Sequence, residues 1–206
     1  MFPFFTASII IFALLAYLRN KSTQNQDEVE RKFWEREQAA NNTRRQDISK
    51  LNYITIPLED FPLGLNTTSE KALIALSEHR ILNLEGATNT QLKLQYGAAN
   101  LEELSQYETN FILMQQTIDT YASDLEGVGR IEDAIQVLEF AISNGADIHG
   151  LFLHLASLYQ QNNQQSKIKG LIEAAEKLQT LNKDGLIMKL QRQLGAGLQK
   201  EPDIPL

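Results

Sequence analysis

Two stretches of this chain, set 34 residues apart, carry the same order of large, small and polar side chains. Phe152 falls on Ile118, Leu155 on Tyr121, Ala156 on Ala122, Ser157 on Ser123 and Tyr159 on Leu125. Further on, Ile168 falls on Ala134, Leu171 on Val137, Ile172 on Leu138 and Ala175 on Ala141. Within each stretch the apolar positions recur every three or four residues, so each forms one face of a helix. A register of this length signals a helix–turn–helix unit used twice, over residues 115–148 and 149–182. One such unit leaves an apolar face bare, and only a stacked neighbour covers it. An all-α fold is therefore expected.

The flanking sequence reads the same way. Thr67 and Glu70 have capping-box spacing ahead of an apolar face made by Ala72, Leu73, Leu76 and Ile81, and Gly86 is a stop. Thr88 and Gln91 repeat the signal before a short helix through "LKLQYG". From Leu101 a periodic run through Leu104, Tyr107, Phe111, Met114, Ile118 and Tyr121 meets no Gly or Pro before Gly127. A last helix over 183–194 caps the stack and closes at Gly195, with residues 196–206 a flexible tail. The helical domain thus spans 67–195, with 67–114 a divergent unit.

The segment "YASDL" followed by "GRIEDAIQVLEFAI" resembles a tetratricopeptide (TPR) repeat. Ala122 stands at the tight inter-helix position, Gly129 at the turn, and Ala134 and Ala141 at the close contacts of the second helix. The second copy keeps Leu155, Ala156, Tyr159 and Ala175. It departs at Asn163 in the turn, at Ile168 for the usual Ala and at Thr180 where proline is common. The family's opening tryptophan is missing from both units. The resemblance implies an α–α superhelix whose first helices line a concave face for a protein or peptide partner. Carried over residue by residue, that face comprises Gln116, Asp119, Ser123 and Glu126 in the first unit and Leu153, Ser157 and Gln160 in the second. Asp119 and Leu153 replace the cations of a carboxylate clamp, so a polar or basic segment is the expected ligand.

At the N-terminus "MFPFFTASIIIFALLAYL" is an uncharged apolar run of 18 residues. As a helix it reaches roughly 27 Å, enough to cross a bilayer core. No basic residue precedes it and "YLRNKS" offers no A-x-A cleavage site, so a retained transmembrane anchor is expected over a signal peptide. Arg19, Lys21, Arg31 and Lys32 follow it closely, which places the C-terminal body in the cytoplasm of a single-pass membrane protein. Sequons at Asn20, Asn41 and Asn66 would favour the outside if used. Residues 19–50 read as a charged stalk helix with a thin apolar stripe, beside which Phe33 and Trp34 offer an aromatic pair to a partner helix. Residues 51–66 contain Pro57 and Pro62 and a β-prone stretch, which predicts an extended strap laid over the helical body. Stalk and strap are similar to those of uncharacterised membrane-anchored proteins of clostridia, a resemblance that carries no activity.

Charge and chemistry narrow the function. Residues 19–50 hold 8 basic and 6 acidic side chains, whereas 51–206 hold 11 basic and 20 acidic. A balance of −9 over the main body argues against nucleic-acid binding, which needs a basic footprint. Cysteine is absent, removing disulfides, thiolate metal sites and a Cys nucleophile. His149 and His154 are five residues apart, off a shared helix face, so no HExxH-like metal pair is formed. His154, alone among leucines, reads as a packed imidazole without a functional part. "GVGR" lacks the third glycine and Walker lysine of a phosphate loop. Acids at 102, 103, 132 and 133 sit where helix N-termini favour them. No enzyme activity, cofactor or metal is expected. The expected role is a membrane-anchored interaction scaffold. The alternative is a structural or regulatory subunit of a membrane complex that binds through anchor and stalk, its groove filled by its own strap.

Overall fold

A single isolated antiparallel bridge, Ile54 to Ile81, is the sole β pairing among the described residues. The remaining regular structure is helical. The computed structural model describes residues 19, 21, 26–180 and 182–198. The expected anchor at 1–18 lies outside them. Among the described residues no helix is long and apolar enough to cross a membrane. The helices are α1 (26–41), α2 (Thr68–Ser77), α3 (Asn89–Tyr96), α4 (Leu101–Gly127), α5 (Ile131–Ser143), α6 (His149–Gln161), α7 (Ile168–Glu176) and α8 (Lys183–Leu198). They fall into two compact units: one runs to Ile48 and includes Ala87–Leu101, and the other comprises Ser49–Gly86 and the chain from Glu102.

In the first unit α1 carries the charge pairs Arg31–Glu35 and Lys32–Glu28, each at 2.7 Å and i,i+4 spacing. Both pairs are open to water and salt, so each contributes little to stability. The helix ends at residue 41, so the stalk expected over 19–50 is helical only in part. From there the chain turns onto α3. The Glu37 carboxylate accepts from the Thr90 hydroxyl and from Lys93 Nζ, and Lys93 also reaches Asn41 Oδ1 at 2.9 Å. Asn100, fully buried, accepts from Arg45 Nε and donates to the carbonyls of Gln46 and Tyr96. Gly97 has φ 89°, and a Cβ there would collide with the carbonyl oxygen of Arg44. These fastenings assign 87–101 to the stalk's unit. The helical domain expected over 67–195 is divided accordingly.

In the second unit α2 opens as the sequence implies, with Thr67 Oγ1 accepting from the Glu70 amide. Glu70 does not close the box. Its buried carboxylate accepts instead from the amides of Gly64, Leu65 and Asn66, at 2.9, 2.6 and 2.8 Å. The strap therefore ends in a tight loop held by one side chain. Upstream, Ile54, Ile56 and Phe61 are buried in the core, and Phe61 meets Phe140 of α5 edge-on with centroids 5.2 Å apart. Tyr121 donates to the carbonyl of Pro62 at 2.7 Å, and Gln136 to that of Asp60 at 2.7 Å.

The 34-residue register is visible in burial. Ile118, Tyr121, Ala122 and Leu125 of α4 are sealed from solvent, as are Phe152, Leu155, Ala156 and Tyr159 of α6 to within a few per cent. Ala134, Val137, Leu138 and Ala141 of α5 are buried, matched by Ile168, Leu171 and Ala175 of α7. The turns repeat too. Gly129 and Asn163 both take positive φ, 79° and 54°. The amides that follow them, Arg130 and Gln164, reach back to the carbonyls of Leu125 and Tyr159. Asn tolerates this left-handed conformation better than other residues with a Cβ, so Asn163 preserves the turn that glycine makes in the first copy.

The periodic run from Leu101 forms one 27-residue helix, α4, and its C-terminal half is the first helix of the first repeat. One helix overruns its sequence limit. α8 passes through Gly195 to Leu198 without a break, replacing the stop expected there and the first residues of the expected tail. It packs on α6 and α7 through Leu186 and Leu190. The rest of the tail lies outside the described residues.

Candidate functional site

The seven positions expected to form a binding face lie on α4 and α6. At about 100° per residue, Gln116, Asp119, Ser123 and Glu126 fall along one side of α4. Gln116 and Ser123 are exposed, and Asp119 and Glu126 are partly so. On α6, Leu153, Ser157 and Gln160 are all half-buried. Leu153 leans on the hydrophobic core, and Gln160 donates to the carbonyl of Gln193 in α8 at 2.5 Å. One end of the row is therefore occupied by the capping helix.

His154 draws the two helices together. Its Nδ1 lies 2.8 Å from Asp119 Oδ1 and its Nε2 3.2 Å from Glu126 Oε2. Protonated on both ring nitrogens, His154 donates to both carboxylates. The hydrogen bond to Asp119 raises the His154 pKa above its usual value, burial opposes it, and Glu126 adds to the rise. Glu126 is held below the usual carboxylate range, first by a hydrogen bond from Gln161, against burial, and then by His154. Gln161 Nε2 makes that bond at 2.9 Å. His154, expected as a packed imidazole, also bridges α4 and α6. When protonated it offsets one of the two negative charges on the face and leaves a net charge of −1 there. The missed signal is positional: Asp119 plus one register is Leu153, and His154 is its neighbour.

The acids sit on opposite sides of the ring, which makes the trio a bridge and not a cation cage. Among the described residues no group of three His, Asp or Glu side chains is placed to hold a metal ion. The face that remains open is polar, centred on Gln116, Ser123 and Ser157, with Asp119 and Glu126 partly exposed beside it.

The strap lies elsewhere. Its hydrogen bonds and ring contacts include those on Ile81, Tyr107, Tyr121, Arg130, Gln136 and Phe140. Tyr121 is two residues from Ser123, about 200° around α4. The bond from Tyr121 thus lies on the side of α4 away from the row.

Gln115, next to the row, has a different part. It is 1% exposed, and its Oε1 accepts from the amides of Asp147 and Ile148 at the start of α6, at 2.9 and 3.3 Å. It serves as a remote cap for a helix whose N-cap, Ile148, supplies no side-chain hydrogen bond.

No protein-family model, no curated protein and no solved structure matches this chain.

Proposed function

We propose that the chain is an interaction scaffold, a short TPR-like array that presents the α4–α6 face to a segment of another protein. The observation that carries this reading is the 34-residue register, kept in both the buried positions and the two left-handed turns. Stacked helical pairs of this kind bury a continuous core and leave an extended face for binding. With Asp119 and Glu126 engaged by His154, recognition falls to Gln116, Ser123, Leu153 and Ser157, and a polar or basic stretch suits that surface best. The apolar run at 1–18 would hold the array at a membrane, with the body on the cytoplasmic side. Asp119, Glu126 and Gln160 would then set the shape of the face without contacting the ligand.

Affinity capture with the full chain tests this. Gln116→Arg with Ser123→Arg alters two exposed side chains and leaves the core intact. Loss of the partners recovered by the unaltered chain is expected, and unchanged recovery would sink the proposal. Protease added outside intact cells should spare the body; digestion from that side would overturn the orientation.

A second reading has its own support on α1. Val29, Phe33 and Trp34 are 69%, 53% and 61% exposed, and the two rings stack edge-on at 5.4 Å. Aromatic groups left bare in this way are typical of interface anchors. If the stalk is the principal interface, Phe33→Ser with Trp34→Ser would abolish partner recovery while the α4 variants would not.

A further inference from the structure

Three stretches of the second unit meet at one of its edges. Asn83–Gly86 lies before the long helix, Ser143–Asp147 joins α5 to α6, and Lys177–Thr180 follows α7. Together with one side of α4 they surround an open cavity of about 610 Å³. Its floor is apolar: Phe111 and Phe152 are buried beneath it, Ile142 and Leu178 flank it, and Ile112 stands 46% exposed on the α4 wall. A volume in this range accepts a compact ligand or roughly two or three side chains of a peptide.

The rim is acidic. Glu85, Glu108 and Asp147 line it, against one cation, Lys177. Glu108 is half-buried, and among the described residues its carboxylate makes no hydrogen bond or ion pair. Other partly or wholly buried acids of this unit are held: Glu70 by three amides, Asp119 and Glu126 by His154, Asp133 by Arg130, Glu139 by Tyr159 and Lys167. Asp147 gives its amide to Gln115 but leaves its carboxylate free. Burial pushes the Glu108 carboxyl upward, and the charge of Asp147 pushes it further. A cation brought here would relieve that repulsion, and an apolar group beside it would cover Ile112 and the two rings below.

We infer that this edge cleft binds a polypeptide segment presenting an arginine or lysine beside a large apolar side chain. The apolar group sits over Phe111 and Phe152, and the cation faces Glu108 and Asp147. The inference rests on the reading of the chain as a polypeptide-binding scaffold but uses a surface other than the Gln116–Ser123 row.

The test uses the full chain and a short, capped, fluorescently labelled peptide alternating leucine with arginine, followed by anisotropy. Saturable binding is expected, weakened about tenfold by Glu108→Gln with Asp147→Asn, a loss of about 1.4 kcal/mol. Peptides alternating leucine with glutamate, or serine with arginine, should each bind at least about tenfold more weakly. Glu132→Gln with Glu173→Gln removes the same charge from exposed positions and should leave Kd within about twofold. Equal weakening by both pairs would mean that only the long-range field attracts the peptide, and would overturn the cleft. So would an unchanged Kd in the Glu108–Asp147 variant. Ser123→Arg separates the two surfaces. If it abolishes peptide binding while the cleft variant does not, the cleft fails and the α4–α6 proposal stands. If only the cleft variant matters for the peptide and Ser123→Arg leaves partner capture intact, the cleft stands and the other proposal fails.

Discussion

His154 stands between Asp119 and Glu126, 2.8 Å from one carboxylate and 3.2 Å from the other, and so joins α4 to α6 across the register. Its folded-state pKa is raised, chiefly by Asp119. Stability from such a group is fully present below the unfolded value near 6.5 and is lost as pH rises through the higher folded value. Glu126 works in the opposite sense, its contribution fading as pH falls through its depressed pKa. The stability difference between the unaltered chain and His154→Gln should therefore peak at about pH 5–6 and shrink above. Its size at the maximum should be about 1 kcal/mol, because Asp119 and Glu126 remain within reach of water and salt. Urea unfolding midpoints across pH measure it, and a difference that grew from pH 6 to pH 9 would refute the bridge.

Gly129 and Asn163 make the same left-handed turn with different residues, and their substitutions should diverge. Asn163→Gly should be neutral or slightly stabilising. Asn163→Val should cost about 1–2 kcal/mol, because a β-branched residue strains at φ 54°. Gly129→Ala should cost about 1 kcal/mol, since nothing crowds an added Cβ and only the backbone angle resists it. Equal midpoints for Asn163→Gly and Asn163→Val in thermal melts would show that the turn is not under this constraint.

These examples show why some of the structure was open to reading from sequence and some was not. The register of Ile118 and Phe152, or of Ala141 and Ala175, is a matter of apolar period and side-chain size, and both survive in a one-dimensional pattern. Thr88 and Gln91 act locally, and their reciprocal cap forms as their spacing implies. Gln115, Asn100 and Glu70 act over distance or bend back on a loop, and a polar residue's spacing does not name such a partner. Asn100 fastens residues 45 and 46, more than fifty positions away. With Glu37 on Thr90 and Lys93, that amide ties residues 87–101 to the stalk's unit, a pairing that periodicity does not name. His154 escaped notice for a related reason: its acids lie on the preceding unit, so the site exists only once the two helices are stacked.

Tyr121 ties the strap to α4, and its phenol is sealed from solvent. Burial first, then the nearby Glu70 charge, pushes its pKa up to about 12. Tyr121→Phe removes the bond to the Pro62 carbonyl without opening a cavity, so a loss of about 1 kcal/mol is expected. In ultraviolet difference titration of the unaltered chain, the Tyr121 phenol should remain un-ionised until about pH 12. The phenylalanine variant should lack that step. Loss of a step near pH 10 in the variant would place the Tyr121 hydroxyl in water.

Glu70 holds Gly64, Leu65 and Asn66 with one carboxylate, and the third of these residues sits at φ 57°. Burial raises the carboxyl's pKa, but the three amides together outweigh it and the net shift is downward. The stabilisation is then present above the unfolded pKa near 4.5 and is lost as pH falls through the lower folded value. Glu70→Gln keeps the size of the side chain but turns an amide group toward three donors, leaving at least one without an acceptor. A cost of about 2 kcal/mol at neutral pH is expected, narrowing below about pH 4 as the carboxylate of the unaltered chain is itself protonated. Amide exchange at Leu65 and Asn66 should accelerate in the variant at neutral pH, while exchange at Ile118 follows only the global loss. Unchanged protection at Leu65 and Asn66 would show that the loop holds its shape without the carboxylate.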